Sequence, residues 1–260
     1  MADDAETVHE LALFLLDYAS ALLGAGVYTA RAVRNLDRIA DAYGFRVDVS
    51  ISQKNVMMSI VNRRNPSARR TSVRSLQAVN FDFSRIRLLS ALTWRAWDDH
   101  VPLKELAREF HKIMARPRLP LGFVLLFVAL ANAAFCRLFG GDFIAMGVVF
   151  GATAVGFIVR HLLSKRQCNH LAVTIVAAFA ASMAASLALT RHWGTTPETA
   201  MAASILFLVP GFQVINAVMD LVGGHILNGI QRSALAGMLI ICMAVGLSCT
   251  MLILGLGGMR

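Results

Sequence analysis

The second part of this chain has almost no acid. Of its 16 Asp and Glu residues, three (Asp142, Glu198 and Asp220) lie beyond residue 118 and 13 lie before it. Lys and Arg thin out at the same place, from 18 to seven. With 57% hydrophobic residues and a mean hydropathy of +0.60, a soluble fold throughout is excluded, because water-facing surface needs more charge. Cysteine is scarce too. Cys136, Cys168, Cys242 and Cys249 sit in or beside apolar segments without CxxC spacing, so they read as reduced packing residues, not as a disulfide framework or metal knuckle. His9, His100 and His111 are scattered, with no HExxH, no Cys/His cluster and no nucleophile elbow. The expectation is therefore no enzyme, no cofactor and no metal. The opening MADDAETVHE is acidic, unlike the basic start of a secretory signal. The formal charge of +9 raises the question of nucleic acid. Arg63, Arg64, Arg69 and Arg70 come without an aromatic stacking platform, however, and basic residues near the apolar boundary suit a cytoplasmic membrane face and anionic lipid. No nucleic-acid partner is expected.

What is present divides in two: a cytosolic α+β domain over 1–118 and a five-helix transmembrane domain over 119–260. Residues 6–23 have helical apolar periodicity, ended by Gly24-Ala25-Gly26, and residues 28–43 form a second helix ended by Gly44. FRVDVSIS (45–52) alternates apolar and polar residues as a half-buried strand does. A second strand is expected over 56–61 and a short third over 71–76, with a basic loop (62–70) between them. Two amphipathic helices follow, over 83–97 and 103–114, the second started by Pro102. Trp94 and Trp97 share a face there and read as packing or docking residues.

Past the hinge ARPRLP (115–120), five apolar segments approach the roughly 20 residues that a bilayer core requires: 119–135, 143–159, 171–189, 200–221 and 234–256. Basic residues put the amino terminus, Arg160, Lys165, Arg166 and Arg232 on the cytoplasmic side and the carboxyl terminus outside. Small residues at Gly147/Gly151 and Ala177/Ala181/Ala185 let helices approach closely.

One segment stands apart. In SILFLVPGFQVINAVMDLVGGH (204–225), Pro210-Gly211 interrupts an apolar helix, and Gln213, Asn216 and Asp220 follow the break. Polar groups in hydrocarbon need partners. Asn216 and Asp220, four apart, share a helix face and can meet one ligand or one neighbouring helix.

Three stretches carry a resemblance to the threonine/serine exporter family, which includes split two-component members. They are GVYTARAVRNLDRIADAYG (26–44), LFGGD (138–142) and LVPGFQVINAVMDLVGGH (208–225). The resemblance points to Gly26 and Arg31 in the cytosolic domain, to Gly140, Gly141 and Asp142, and to Pro210, Gly211, Asn216, Asp220 and His225. Where many relatives carry glutamates two and seven residues after the glycine aligned with Gly26, this chain has Tyr28 and Val33. The resemblance implies a multi-pass protein of the bacterial inner membrane, the larger half of a split pair. Its expected partners are the lipid bilayer, a second small multi-span subunit and/or further copies of itself, and a small carboxylate-bearing substrate. That substrate is an amino acid such as threonine or serine, or a dicarboxylate such as succinate.

In that reading the half-helix after Pro210-Gly211 offers free amides to a carboxylate, and Gln213 and Asn216 add neutral hydrogen bonds. Asp142, Asp220 and His225 are coupling candidates. Asp142 also reads as a helix N-cap, and His225 as a loop histidine. The alternative is a membrane-anchored scaffold or regulatory subunit that binds a partner through its cytosolic domain.

Overall fold

A computed structural model describes residues 2–52, 54–76, 79–117 and 119–255 of the chain. They pack as two compact units: Met1–Pro117 with Val214–Ser233, and Arg118–Gln213 with Ala234–Arg260. The first break falls between Pro117 and Arg118. The segment 214–233, which contains the end of the expected fourth span, packs with the amino-terminal unit.

The first unit opens with α1 (Ala2–Gly24) and α2 (Thr29–Ala42), followed by β1 (Phe45–Ile51), β2 (Asn55–Asn62) and β3 (Arg69–Ser75). The strands form an antiparallel sheet in the order β1-β2-β3, with Val47 opposite Ile60 and Met58 opposite Ser72. β3 begins two residues before the expected strand because Val61 pairs with Arg69. The strand therefore takes the end of the basic loop. Helices α3 (Phe83–Asp98) and α4 (Leu103–Met114) complete the α+β layer, and Asp82 caps α3 by accepting from the Arg85 amide.

The core of this unit is made of large side chains. Leu11, Leu15, Tyr18, Leu22, Leu36, Ile39, Val56, Met58, Ile60, Leu89 and Leu106 are all fully buried. Phe14 and Phe110 meet edge to face with centroids 5.7 Å apart. Glu6–Gly24 is long and apolar enough to count as a membrane span. Its Leu and Tyr side chains nevertheless fill this core. Trp94 is about half exposed and lies under the Arg38 guanidinium, 3.7 Å from its ring centre.

The second unit is packed the other way round. It contains α5 (Leu121–Leu138), α6 (Phe143–Lys165), α7 (His170–Thr190), the short α8 (Pro197–Ala203) and a 3-10 turn at Leu206–Leu208. Two helices run on from it: α9 (Gly211–Val222) and α10 (Ile226–Ile253). The buried positions of α7 are Val173, Thr174, Ala177, Ala178, Ala181, Ser182, Ala185, Ser186 and Ala188. The large residues point outward instead: Phe123, Phe127, Leu130, Phe135, Ile144, Ile158, Leu162 and Ile241 are all exposed. Small residues inside and large apolar residues outside is the pattern of helices that pack on one another in lipid. At Gly246 an added β-carbon would lie 2.5 Å from the Ile175 carbonyl, and at Gly156 2.8 Å from the Ala181 β-carbon. Buried polar groups tie the bundle together. Asn132 donates to Thr153 Oγ1 (2.6 Å) and to the Ala203 carbonyl (3.2 Å), and Ser182 bonds Thr250 (2.6 Å).

The fold is thus mostly helical with a small three-stranded sheet. Among the described residues five helices, Glu6–Gly24 included, or six counting the broken pair Pro197–Leu208 and Gly211–Val222 as one, are long and apolar enough to cross a membrane. The last span differs from expectation in its start, since α10 begins at Ile226 instead of residue 234. A tight turn at Gly223-Gly224, with Gly224 at φ +81°, reverses the chain at once. The polar residues that resemble a loop, Asn228, Gln231 and Arg232, lie on the first turns of the helix. Leu256 and Arg260, with the expected outside carboxyl terminus, lie beyond the described residues.

Candidate functional site

α9 buries its polar residues and exposes its apolar ones. Only Asn216, Ala217 and Asp220 are buried, whereas Phe212, Ile215, Val218, Met219 and Val222 face outward. The buried stripe meets the stretch between α1 and α2 within the first unit. Asp220, with no exposed surface, accepts from the Thr29 amide on Oδ1 (2.6 Å) and from the Thr29 hydroxyl on Oδ2 (3.1 Å). Arg232, two turns into α10, places Nε 3.1 Å from the same Oδ2 and donates to the Val27 carbonyl (3.1 Å). Asn216, one turn before Asp220, donates to the Gly26 carbonyl (2.8 Å), and Asn228 to the Thr29 hydroxyl (3.1 Å). Five hydrogen bonds thus join four residues of α9 and α10 to the stretch 26–29.

Local chemistry shapes both halves of this clasp. Gly26 has φ +93°, and a β-carbon there would overlap the Phe81 ring, so only glycine fits. The Gly24 and Ala25 carbonyls accept from the amides of Asn80 (2.8 Å) and Asp82 (3.1 Å). On the other side Gly229 lets α9 and α10 close as a hairpin, since a β-carbon would lie 2.6 Å from Leu221 Cγ. Gly223 packs against Ala30 in the same way, at 3.1 Å. Arg31, the other family position in this unit, donates to Ser90 Oγ (3.0 Å) beside the Tyr18–Asn35 hydrogen bond (3.1 Å).

Beside the clasp lies a cleft of about 320 Å³, lined by Thr29, Val33, Ser50, His225, Asn228 and neighbouring apolar residues. His225 closes the turn: its amide donates to the Asp220 carbonyl (2.8 Å) and its carbonyl accepts from Gly229 (3.0 Å). Val33 forms part of the wall.

The second unit holds the remaining candidates. Asp142 caps α6, accepting from the Ala145 amide on Oδ1 (2.6 Å). Its Oδ2 accepts from the Thr195 amide and hydroxyl, and its own amide donates to Thr196 Oγ1 (2.9 Å). These amide donors hold its carboxyl below the usual range, at about 2. Gly140 (φ +84°) and Gly141 form the tight turn before it, with Gly141 packed on Cys136. Pro210 is buried at the break and Gly211 opens α9. Gln213 is half-buried, and no hydrogen-bond partner for it is found among the described residues. No cluster of three or more His, Cys, Asp or Glu side chains that could hold a metal occurs among the described residues.

Within the first unit the structure therefore brings together Asn216, Asp220 and Gly26, with His225 at the adjoining turn; Asp142 belongs to the second unit. The structure adds Thr29, Asn228 and Arg232, which the pattern around the break did not reveal. Their signal in the sequence is a polar residue every three or four positions at the start of an otherwise apolar helix. Asn132, a lone amide in an apolar span, is a further addition.

Comparison with known proteins gives the family. The sequence pattern of the threonine/serine exporter family matches residues 13–254. A protein of Escherichia coli (strain K12), named "Probable succinate transporter subunit YjjP", is 39% identical over 142 residues, 54% of this chain and 56% of its own length. A protein of the same name from Klebsiella aerogenes is 36% identical over 156 residues, 60% of each chain. The matched stretch thus spans little more than half of these relatives. No solved structure matches the chain.

Proposed function

Since the chain belongs to the threonine/serine exporter family, we propose that it is a subunit of a secondary-active exporter of small carboxylate-bearing metabolites across the inner membrane. Its amino terminus is cytoplasmic and its carboxyl terminus outside. The observation that carries this reading is the inverted packing around a broken helix. α5 to α7 bury Ala, Ser and Thr and turn Phe and Leu outward, and α9 opens at Gly211 directly after Pro210. A half-helix start of this kind carries a partial positive charge, which suits a carboxylate. Gln213 is the side chain one turn in whose amide is open to a ligand. Asn216 extends the same face, with its Nδ2 engaged by Gly26.

The relatives' name supports a dicarboxylate such as succinate, and its word "subunit" supports a second multi-span chain. Threonine or serine, from the family description, is the other substrate class. For coupling, His225 lines an open cleft, whereas the carboxylates of Asp142 and Asp220 are already filled by donors.

The test is efflux from cells preloaded with labelled succinate, threonine or serine, with and without this chain and a five-span partner. Faster efflux of one substrate, lost in Gln213→Ala, supports the reading. Unchanged efflux of all three, with both proteins present in the membrane, favours the scaffold alternative.

A further inference from the structure

We propose that Arg232 and Asp220 are positioning residues. Together they lock α9 onto the stretch 26–29, so that the α+β unit sets where the half-helix stands, and the Asp220 carboxylate carries no proton in transport. The second part of this proposal rests on the exporter reading; the clasp itself does not.

The geometry supports it in three ways. First, every side-chain partner of Asp220 is a donor: the Thr29 amide, the Thr29 hydroxyl and Arg232 Nε. A protonated carboxyl would donate where it now accepts, so one of these three contacts would have to turn round, and Arg232 would lose its counter-charge. Second, the partners of 26–29 are spaced along two helices joined by a tight turn. Asn216 and Asp220 lie on α9, and Asn228 and Arg232 on α10. The hairpin grips as one body, and rotation of α9 about its own axis breaks at least the Asn216 and Asp220 contacts together. Third, the gripped stretch is fixed from behind by the amides of Asn80 and Asp82 and by the Phe81 ring over Gly26. It is therefore a rigid anchor within the α+β unit. Arg232, which the charge pattern alone assigns to the cytoplasmic rim, keeps only 24% of its side chain exposed.

The test uses the full chain with Arg232→Gln, Asp220→Asn and the double variant. Hydrogen exchange of residues 26–29 and efflux are both measured. Breaking one half of a buried ion pair leaves the other unpaired, while neutralising both removes the mismatch. In the double variant the amide oxygen introduced at position 232 can accept from the amide introduced at position 220, and its nitrogen can donate to the Val27 carbonyl. Arg232→Gln alone is expected to speed exchange at 26–29 by about tenfold or more and to lower efflux comparably. The double variant is expected to bring both back to within about threefold of the parent.

A double variant with restored protection and no efflux would show that the carboxylate itself works in transport, overturning the proposal. Single variants that leave exchange at 26–29 unchanged would show that the pair does not hold the stretch, overturning it equally. If the parent protein moves none of the three substrates, the exporter reading fails, and exchange alone decides whether the pair holds the clasp.

Discussion

The Asp220 carboxylate and the Thr29 backbone amide are 2.6 Å apart although 191 positions separate them in the chain. An amide with this partner in a fully buried site cannot lose it cheaply, because water does not replace the acceptor. Asp220→Ala is expected to lower the stability of the first unit by about 3 kcal/mol, since it strands Arg232 and the Thr29 donors together. Thermal unfolding of the purified chain, followed by circular dichroism, measures the loss.

Gly26→Ala tests the other face of the same stretch. The new methyl meets the Phe81 ring and the backbone is held at φ +93°, which together are expected to cost about 2 kcal/mol. Adding Phe81→Ala relieves the overlap but not the dihedral strain. The double variant is therefore expected to recover part of the melting temperature and stay below the parent.

Asp142 makes a pH prediction. Its carboxyl is held at about 2, below the unfolded value of roughly 3.9. Its stabilising contribution is thus fully present above pH of about 4 and lost only as pH falls through about 2. Asp142→Asn is expected to reduce the melting temperature at neutral pH while leaving the shape of the efflux-against-pH curve between about pH 5.5 and 8 unchanged. A displaced curve would assign Asp142 a coupling role.

Gly246→Leu tests the small-residue packing of the second unit. A side chain there drives into the Ile175 carbonyl and the Ala178 methyl, 2.5 and 2.8 Å from the β-carbon position. The variant is expected to unfold or aggregate on extraction in mild detergent, as read by size-exclusion chromatography. Gly147→Leu, where a β-carbon would meet nothing within 4 Å, is expected to behave as the parent.

Much of the architecture was legible from local pattern. Alternation in FRVDVSIS gave β1, Pro210-Gly211 marked the break, and the apolar segments beginning at 119, 143 and 171 correspond to α5, α6 and α7. These signals are local, as periodicity and proline chemistry are. Asn216 and Asp220 were legible as a pair on one face, but what they face was not. Gly26 and Thr29 lie about 190 residues away, and no spacing rule links such distant segments. The start of α10 was misplaced because Asn228, Gln231 and Arg232 look like loop residues until their partners are seen. The charge of Arg232 speaks in the sequence for topology, and its bonds to Asp220 and Val27 do not show there.

The two units also bury different chemistry, and that separates how they respond to solvent. The first hides Leu, Ile, Phe and Met, so its unfolding exposes much apolar surface to water, with a large heat-capacity step and a steep dependence on urea. The second hides mainly Ala, Ser and Thr and turns Phe and Leu outward, so its unfolding exposes little new apolar surface. Calorimetry or a urea titration of this protein will therefore report chiefly on residues 1–117 with 214–233. On the exporter reading, in which those outward side chains face lipid, the helices of the second unit will answer instead to changes in acyl-chain length.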